Sequence, residues 1–308
     1  MTKPYNDFST YFKKLFSDRV QKISVDAGFT CPNRDGTKSS GGCTYCNNDT
    51  FNPFYCTPQK TVKQQLTEGI EFFSKKYKTQ KYLAYFQAYS NTYADLSVLK
   101  NLYNEALETE GVIGLVIATR PDCIDEEKLN FIQELAKKYY ILLEYGVEST
   151  NNESLNAINR AHTFEDSIRV LEMTKGRNIT TGIHLIFGLP FETRQTMLKT
   201  AEIISSLPFD TLKMHQLQIV KGTKMARDYA QNPENFKLFS AQEYISFIAD
   251  FLELLNPKII VERFIAESPV EYLIAPHWGG LKNFEIIHKI ESLLLKRNSF
   301  QGKYFCGN

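Results

Sequence analysis

Apolar residues recur along the chain with two periods, and the two kinds of segment alternate. Short runs of closely spaced apolar residues are typical of buried strands, and the segments between them have the three- and four-residue apolar spacing of helices. The predicted strands are KISVDAG (22–28), KYLAYFQAY (81–89), VIGLVIATR (112–120), YYILLEYGV (139–147), ITTGIHLIFGLP (179–190) and DTLKMHQLQIV (210–220). The predicted helices cover residues 61–77, 94–111, 125–139, 164–178, 193–207 and 240–255, with Asp125 and Ser240 as helix caps.

Strict alternation of strand and helix predicts a parallel sheet. Both a doubly wound sheet and a barrel satisfy this pattern. Polar candidates accumulate just after the strands, which favours a barrel, because barrel sites lie at the carboxyl ends of the strands. We therefore expect an α/β fold with a partial (β/α)6 barrel over residues 1–255, including an N-terminal lead-in. The alternation stops near residue 256, so residues 256–308 are expected to form a C-terminal extension packed on the barrel.

Composition and charge restrict the partners only weakly. The chain has 308 residues, 43% hydrophobic and 23% charged, and a net charge of +1. Residues 10–22, 57–81 and 281–308 are locally basic. They are either solvated helix faces or, if they share one face, a site for a polyanion. No secretory signal and no run of ~18 apolar residues is evident, so we expect a cytoplasmic protein with no membrane partner.

Three of the six cysteines lie in FTCPNRDGTKSSGGCTYCNN, residues 29–48. Thiols stay reduced in the cytoplasm, so clustered cysteines favour a metal centre over disulfides. One interpretation is a zinc site that takes Cys56 as its fourth ligand. The other is a [4Fe–4S] cluster held by Cys31, Cys43 and Cys46, with one iron left open.

This cysteine loop follows the first predicted strand and carries Tyr45 just before its last cysteine. It resembles the loop of radical S-adenosylmethionine (SAM) enzymes, and in particular of the YhcC/YtqA-like subfamily, which is related to the elongator-type catalytic subunits. The resemblance extends over nearly the whole chain. It rests on KISVDAGFTCPNRDGT, GGCTYC, KYLAYFQAYSNTYA, IATRPDCI, INRAHTFED, GLPFET, HQLQIVKGT and SFQGKY.

The resemblance implies a [4Fe–4S] cluster and SAM as cofactors. It also implies reductive cleavage of SAM, hydrogen abstraction from a substrate, and an electron donor such as flavodoxin or ferredoxin. The implied SAM contacts are Gln87 to the amino group, Arg160 to the carboxylate, Glu148 and His184 to the ribose, and Tyr45 to the adenine.

Strand alternation supports part of this assignment without the resemblance. Side chains of a barrel strand point alternately to the lumen and to the helix layer. Gln87, Glu144, Glu148 and His184 lie opposite the apolar faces of their strands, so we expect them in the lumen. Such side chains either bind a ligand or pair only with one another.

The candidate substrate residues are Lys213, His215 and Arg120. We expect Lys213 and His215 to face the lumen, and Lys213 or Arg120 to bind an anionic group. The resemblance points to tRNA, with conversion of 5-carboxymethylaminomethyl- to 5-aminomethyl(-2-thio)uridine at the wobble position. Two alternatives stay open: radical SAM chemistry on a small molecule or peptide, and a non-catalytic iron–sulfur or zinc protein that binds RNA.

Overall fold

The computed structural model describes residues 3–48, 52–75 and 80–307. Its main element is a curled sheet of seven parallel strands in the order β1-β2-β3-β4-β5-β6-β8. The strands are β1 Val20–Val25, β2 Lys81–Phe86, β3 Val112–Thr119, β4 Tyr140–Glu148, β5 Thr180–Phe187, β6 Thr211–Gln216 and β8 Ile260–Arg263. Two short strands, β7 Ile219–Val220 and β9 Leu273–Ala275, form a separate antiparallel pair. The sheet is a half-barrel, in agreement with the expected partial barrel.

Ten helices occur in the described part of the chain. They are α1 Phe8–Phe16, α2 Val62–Ser74, α3 Leu96–Leu107, α4 Glu126–Ala136, α5 Asn152–Ala157, α6 Phe164–Thr174, α7 Arg194–Ser205, α8 Lys224–Gln231, α9 Ala241–Leu254 and α10 Asn283–Lys296. Both predicted caps are confirmed: the Asp125 carboxylate accepts from the Lys128 N–H at 2.9 Å, and Ser240 forms a capping box with Glu243. Within the same described ranges, no helix is long and apolar enough to cross a bilayer.

Apolar side chains fill both faces of the sheet. Leu143, Tyr145 and Val147 of β4 belong to the large core between the sheet and the outer helices. A smaller core lies inside the curl, where Phe12 of α1 packs with Leu83, Tyr85, Val116, Ala118 and Leu142. Helix α1 therefore plugs the lumen of the half-barrel.

The seventh strand was not expected. Residues 256–308 were predicted as an extension, yet Ile260–Arg263 of this segment pairs in parallel with β6. The outer edge of β8 is covered by the chain start, since the Val261 N–H donates to the Asn6 carbonyl at 2.7 Å. A four-residue strand with two apolar residues, Ile260 and Val261, is too short to produce a clear period. The division of the chain at residue 255 stays a prediction.

We predict that Phe12→Ala lowers the free energy of unfolding by about 3 kcal/mol, because it removes a buried ring and leaves a cavity. Phe12 is 5% exposed, whereas Leu15 on the same helix is 48% exposed. Leu15→Ala is therefore the matched control, with an expected change below about 0.5 kcal/mol. Equilibrium unfolding in denaturant measures both, and equal effects would show that α1 does not plug the lumen.

Candidate active site

One cavity of about 210 Å³ opens at the carboxyl ends of the parallel strands. Ten of the predicted site residues line it, although they come from widely separated parts of the sequence. They are Cys31, Cys43, Tyr45, Cys46, Gln87, Arg120, Glu148, Arg160, His184 and His215. The structure thus brings together nearly the whole predicted site, with Lys213 as the exception described below.

The cysteine loop between β1 and α2 is fastened to the segment that follows α5. Asn33 Nδ2 donates to the carbonyls of Asn159 and Arg160 at 2.6 and 3.1 Å. Asn159 Nδ2 in turn donates to the Gly42 carbonyl at 2.9 Å. Gly42 has a φ of +77°, a left-handed conformation that suits glycine. These bonds fix the cysteines against Arg160.

All three cysteines of the loop are free thiols, and Cys31 and Cys43 are buried. Arg160 Nη1 and Asn33 Nδ2 each lie 3.6 Å from the Cys43 sulfur. Burial raises the pKa of the Cys46 thiol to about 11. The Cys46 thiol therefore loses its proton when iron binds it, as metal ligands do.

The residues fit an iron–sulfur cluster better than a single ion. In the described part of the chain, no three His, Cys, Asp or Glu side chains approach closely enough to hold one metal ion. Cys56, the fourth ligand of the zinc interpretation, lies in the hydrophobic core and does not line the cavity that Cys31, Cys43 and Cys46 line. The buried Arg120 Nη1 lacks a hydrogen-bond partner, and Arg120 lines the same cavity as the cysteines. An unpaired cationic donor there suits an anionic group.

Arg160 and Glu148 form a buried ion pair above the end of β4. Arg160 Nη2 lies 3.2 Å from Glu148 Oε1 and donates to the Gly146 carbonyl at 2.7 Å. A Cβ on Gly146 would lie 2.4 Å from Arg160 Nη2 and 2.6 Å from Glu148 Oε1. Glu148 has a φ of +67°, which costs about 1–3 kcal/mol for a non-glycine residue. The Arg160–Glu148 ion pair thus requires glycine at position 146 and a strained backbone at Glu148.

His162 orients Arg160, and sequence reasoning missed this role. Arg160 Nε donates to His162 Nε2 at 3.0 Å, and His162 Nδ1 lies 3.1 Å from the Thr163 carbonyl oxygen. Burial, assisted by the charge of Arg160, lowers the pKa of His162 to about 3. The imidazole is therefore neutral, with its proton on Nδ1 and a free lone pair toward the arginine.

A group of charged side chains forms the floor of the cavity around Glu144, which is 1% exposed. Lys213 Nζ lies 2.6 and 2.7 Å from its two carboxylate oxygens, Lys22 Nζ lies 3.0 Å away, and His184 Nε2 3.1 Å away. Burial raises the pKa of Glu144, but Lys213 and Lys22 outweigh it and hold that pKa well below its ordinary value. We name Lys22, Glu144, Lys213 and Glu262 the floor cluster.

Two residues with predicted roles, Lys213 and His184, are in direct contact with Glu144 of the floor cluster. Lys213 is buried beneath the cavity, with Glu262 Oε1 also within 3.1 Å, and it does not line the cavity wall. His184 does line the wall, but its Nε2 is engaged by Glu144. The polar lumen residues are thus partly paired with one another and partly open to the cavity.

Arg120 forms a two-pronged salt bridge with Asp122, with Nε and Nη2 each 2.9 Å from a carboxylate oxygen. Lys38 Nζ lies 2.6 Å from the same carboxylate. Burial raises the pKa of Asp122, but these cations outweigh it and lower the pKa to about 2. The charge of Arg120 is therefore largely neutralised at neutral pH.

Arg263 is a cavity residue that sequence reasoning did not identify. It ends β8, and its Nη2 lies 2.5 Å from His215 Nε2. The apolar run 259–261, followed directly by the two charged residues Glu262 and Arg263, was the available signal.

Comparison with known proteins agrees with this site. Residues 31–204 match the model of the radical SAM superfamily, and residues 209–296 match its Radical_SAM C-terminal domain. The chain therefore belongs to the radical SAM superfamily. It is a radical SAM enzyme, and the cofactors of this class are a [4Fe–4S] cluster and SAM.

The uncharacterized protein YtqA of Bacillus subtilis (strain 168) is 33% identical over 98% of this chain and 93% of its own length. Protein YhcC of Escherichia coli (strain K12) is 32% identical over 90% of this chain and 88% of its own length. A tRNA uridine(34) acetyltransferase of Methanocaldococcus infernus is 26% identical over 53% of this chain and 30% of its own length. The first two relatives bear out the subfamily resemblance.

Among solved structures, Elp3 of Methanocaldococcus infernus aligns with a TM-score of 0.70 at 17% identity. The alignment covers 92% of this chain, and the chain spans 64% of that protein. At this identity the likeness supports the fold, which is the partial barrel of radical SAM type.

We predict that Cys46→Ser abolishes cluster binding, because it removes one of three thiolate ligands. Anaerobically reconstituted wild-type protein should contain about four iron atoms per chain and show a broad thiolate-to-iron absorption band. Cys306→Ser is the matched control, since Cys306 is exposed. Iron content equal to wild type in Cys46→Ser, or lost in Cys306→Ser, would contradict this ligand assignment.

We also predict that His162 makes the fold sensitive to mild acid. Its pKa is about 3 when folded and 6.5 ordinarily, so below about pH 6.5 the unfolded chain binds a proton that the folded chain does not. Stability therefore falls as pH falls, by about 1.4 kcal/mol from this group between about pH 7.5 and pH 5.5. Denaturant unfolding across this range should show a shallower slope for His162→Gln. His277→Gln, at an exposed histidine, should keep the wild-type slope, and the same slope in both variants would refute the assignment.

Proposed function

We propose that this radical SAM enzyme acts on the wobble uridine of tRNA and converts a 5-carboxymethylaminomethyl group to 5-aminomethyl, with or without a 2-thio group. One observation carries the proposal: the cysteine loop, the Arg160–Glu148 pair and a charged lumen share one cavity. A cofactor that generates a radical and a polar substrate would meet there.

We propose that Cys31, Cys43 and Cys46 hold three irons and leave the fourth for SAM. The bound cofactors supply a carbon-centred radical that takes a hydrogen atom from the substrate. Arg160 is suited to the carboxylate of SAM, since guanidinium groups match carboxylates. Glu148 can accept from ribose hydroxyls.

Three further SAM contacts are proposed on the cavity wall. Gln87 faces the amino group, His184 the ribose and Tyr45 the adenine, and all three side chains line the same cavity. Because Glu144 engages one nitrogen of His184, the other ring nitrogen is the one available to the ribose.

The tRNA assignment is supported by the similarity to the tRNA uridine(34) acetyltransferase of Methanocaldococcus infernus. The basic stretches 10–22 and 57–81 support tRNA binding less than their composition indicates, because several of their lysines are paired with carboxylates of the protein. Lys22 lies in the floor cluster, and Lys60 and Lys81 pair with Glu68 and Asp18. Part of stretch 57–81, residues 76–79, lies outside the described residues. Lys13 and Lys14 on α1 stay exposed and are suited to phosphates.

The proposed conversion balances without a further oxidant. The side chain loses two electrons at the CH2 beside its carboxylate, water adds, and the two carbons leave as glyoxylate. Those two electrons, with one proton, reduce SAM to methionine and 5′-deoxyadenosine. The reduced thiolates of the cluster accord with a cytoplasmic location, which we propose as well.

The proposal is tested by anaerobic SAM cleavage with dithionite, with and without bulk tRNA, followed by nucleoside mass spectrometry. We expect tRNA to stimulate cleavage, and the modified uridine to become lighter by two carbons, two oxygens and two hydrogens. tRNA from a deletion strain should accumulate the carboxymethylaminomethyl nucleoside.

Other outcomes identify the alternatives. An unchanged nucleoside profile in the deletion strain, with SAM cleavage that ignores tRNA, would favour a small-molecule or peptide substrate. A protein that holds iron and binds RNA but never cleaves SAM would be a non-catalytic binder. A variant with the control substitution Cys306→Ser should behave as wild type in each arm.

A further inference from the structure

The charged groups around the cavity balance one another, except for two arginines, Arg263 on the far wall and Arg34 in the cysteine loop. In the floor cluster, Lys22 and Lys213 face Glu144 and Glu262, two cations against two carboxylates. Arg120 is paired with Asp122, and Arg160 with Glu148. For Arg263, in the described part of the chain, no carboxylate lies within the 4.0 Å that defines a salt bridge. Its positive charge is therefore left for a ligand.

Arg34 is another cavity arginine without a carboxylate partner, but it belongs to the cysteine loop. Its Nη2 donates to the Cys46 carbonyl at 3.1 Å, and the guanidinium lies 5.6 Å from the centre of the Tyr89 ring. Arg34 is thus at the cluster end of the cavity, and Arg263 at the end formed by β6 and β8.

Arg263 and His215 form a unit with unused donors. Burial, assisted by Arg263, lowers the pKa of His215 well below its ordinary value, so the ring is neutral. Its Nε2 accepts from Arg263 Nη2 at 2.5 Å, which leaves the proton on Nδ1. Arg263 Nε is buried and has no hydrogen-bond partner. A buried cationic N–H without an acceptor is costly, and a bound anion would satisfy it.

The wall that carries this unit is rigidly built. The Gln216 side chain bonds both the N–H and the carbonyl of Ala266, at 3.1 and 3.2 Å. Gln218 Nε2 donates to the same carbonyl at 3.3 Å, and Ser268 donates to Gln218 Oε1 at 2.8 Å. These bonds fasten the segment after β8 to the end of β6. The two arms of the unit, His215 and Arg263, are therefore held at a fixed spacing.

We propose that Arg263 and His215 form the subsite that binds a carboxylate of the substrate. This inference rests on the proposed function and refines it: the substrate class is a nucleoside that carries a carboxylate side chain. A planar guanidinium with an adjacent imidazole N–H matches a carboxylate in shape and charge. The assignment replaces Lys213 and Arg120, because both are already paired with carboxylates of the protein itself.

The position of the subsite suits this role. His215 and His184 have ring centres 6.1 Å apart, and His184 lies against Glu144. Arg263, His215 and His184 therefore form a row along the cavity wall, from the free cation toward the proposed ribose contact. A carboxylate at Arg263 would place its neighbouring atoms inside the cavity.

The test uses an anticodon stem-loop RNA with 5-carboxymethylaminomethyluridine and the same RNA with the carboxylate replaced by a carboxamide. Fluorescence anisotropy gives the Kd of each for the anaerobically reconstituted protein with SAM and no reductant. We expect wild type to bind the acid at least about tenfold more tightly than the amide. Arg263→Gln should bring the ratio close to one, and Arg263→Lys should retain part of it. Arg169→Gln is the matched control, because Arg169 is an exposed arginine on α6, and it should keep the wild-type ratio.

Because the readout is a ratio within each variant, a loss of active protein does not affect it. A preference that survives Arg263→Gln, or a wild-type protein that binds acid and amide equally, would overturn the subsite even if tRNA is modified. A matching loss of SAM affinity in Arg263→Gln would assign Arg263 to SAM and also overturn it. If the preference exists and depends on Arg263 while no RNA is converted under turnover, the subsite stands and the proposed function fails.

Discussion

The interaction on which the rest of the structure depends is the pairing of the Glu144 carboxylate with the ammonium groups of Lys213 and Lys22. Glu144 lies on the central strand β4, whereas Lys22 is on the first strand and contacts Glu262 on the last at 2.5 Å. The two edge strands share no backbone ladder, so this contact joins them across the lumen. Buried ions of this kind are costly unless all are paired, and removal of one partner typically costs 3–5 kcal/mol. The same salt bridges therefore hold the two edge strands of the curled sheet together and balance the charges of its interior.

Because the floor cluster is neutral as a whole, the charges above it are free to act on ligands. Arg160 is held near the cysteines by Glu148, His162 and the Gly146 carbonyl, and Arg263 is held at the opposite wall by His215. Both arginines rely on a neutral imidazole as acceptor. A protonated histidine beside either guanidinium would repel it, and burial prevents this by lowering the pKa of both rings. The cavity thus holds a guanidinium at each of two ends, Arg160 in an ion pair with Glu148 and Arg263 without a carboxylate partner.

Much of this arrangement could be predicted from the sequence, and the limits have physical causes. Spacing alone indicated Cys31, Cys43 and Cys46, and strand alternation indicated the lumen face of Glu144 and Glu148. Strand alternation predicts which face of the sheet a side chain occupies, but not which side chains it contacts. It therefore did not reveal that carboxylates neutralise Lys213. The role of His162 depends on a loop in which Asn159 and Ala161 both have positive φ, a conformation that their residue types do not require.

Two irregularities of the sheet explain why Arg263 in particular escapes periodic reasoning. In the β6–β8 ladder, Leu212 pairs with Val261 and Lys213 with Arg263, so Glu262 is an extra residue, a β-bulge. The β4–β5 ladder skips Val147 in the same way, just before Glu148. A bulge redirects side chains that strict alternation would send to opposite faces. Because of the bulge at Glu262, this residue belongs to the floor cluster while its neighbour Arg263 lines the cavity. The short strand β8 therefore supplies, in consecutive residues, the charge that balances the interior and the charge that remains for substrate.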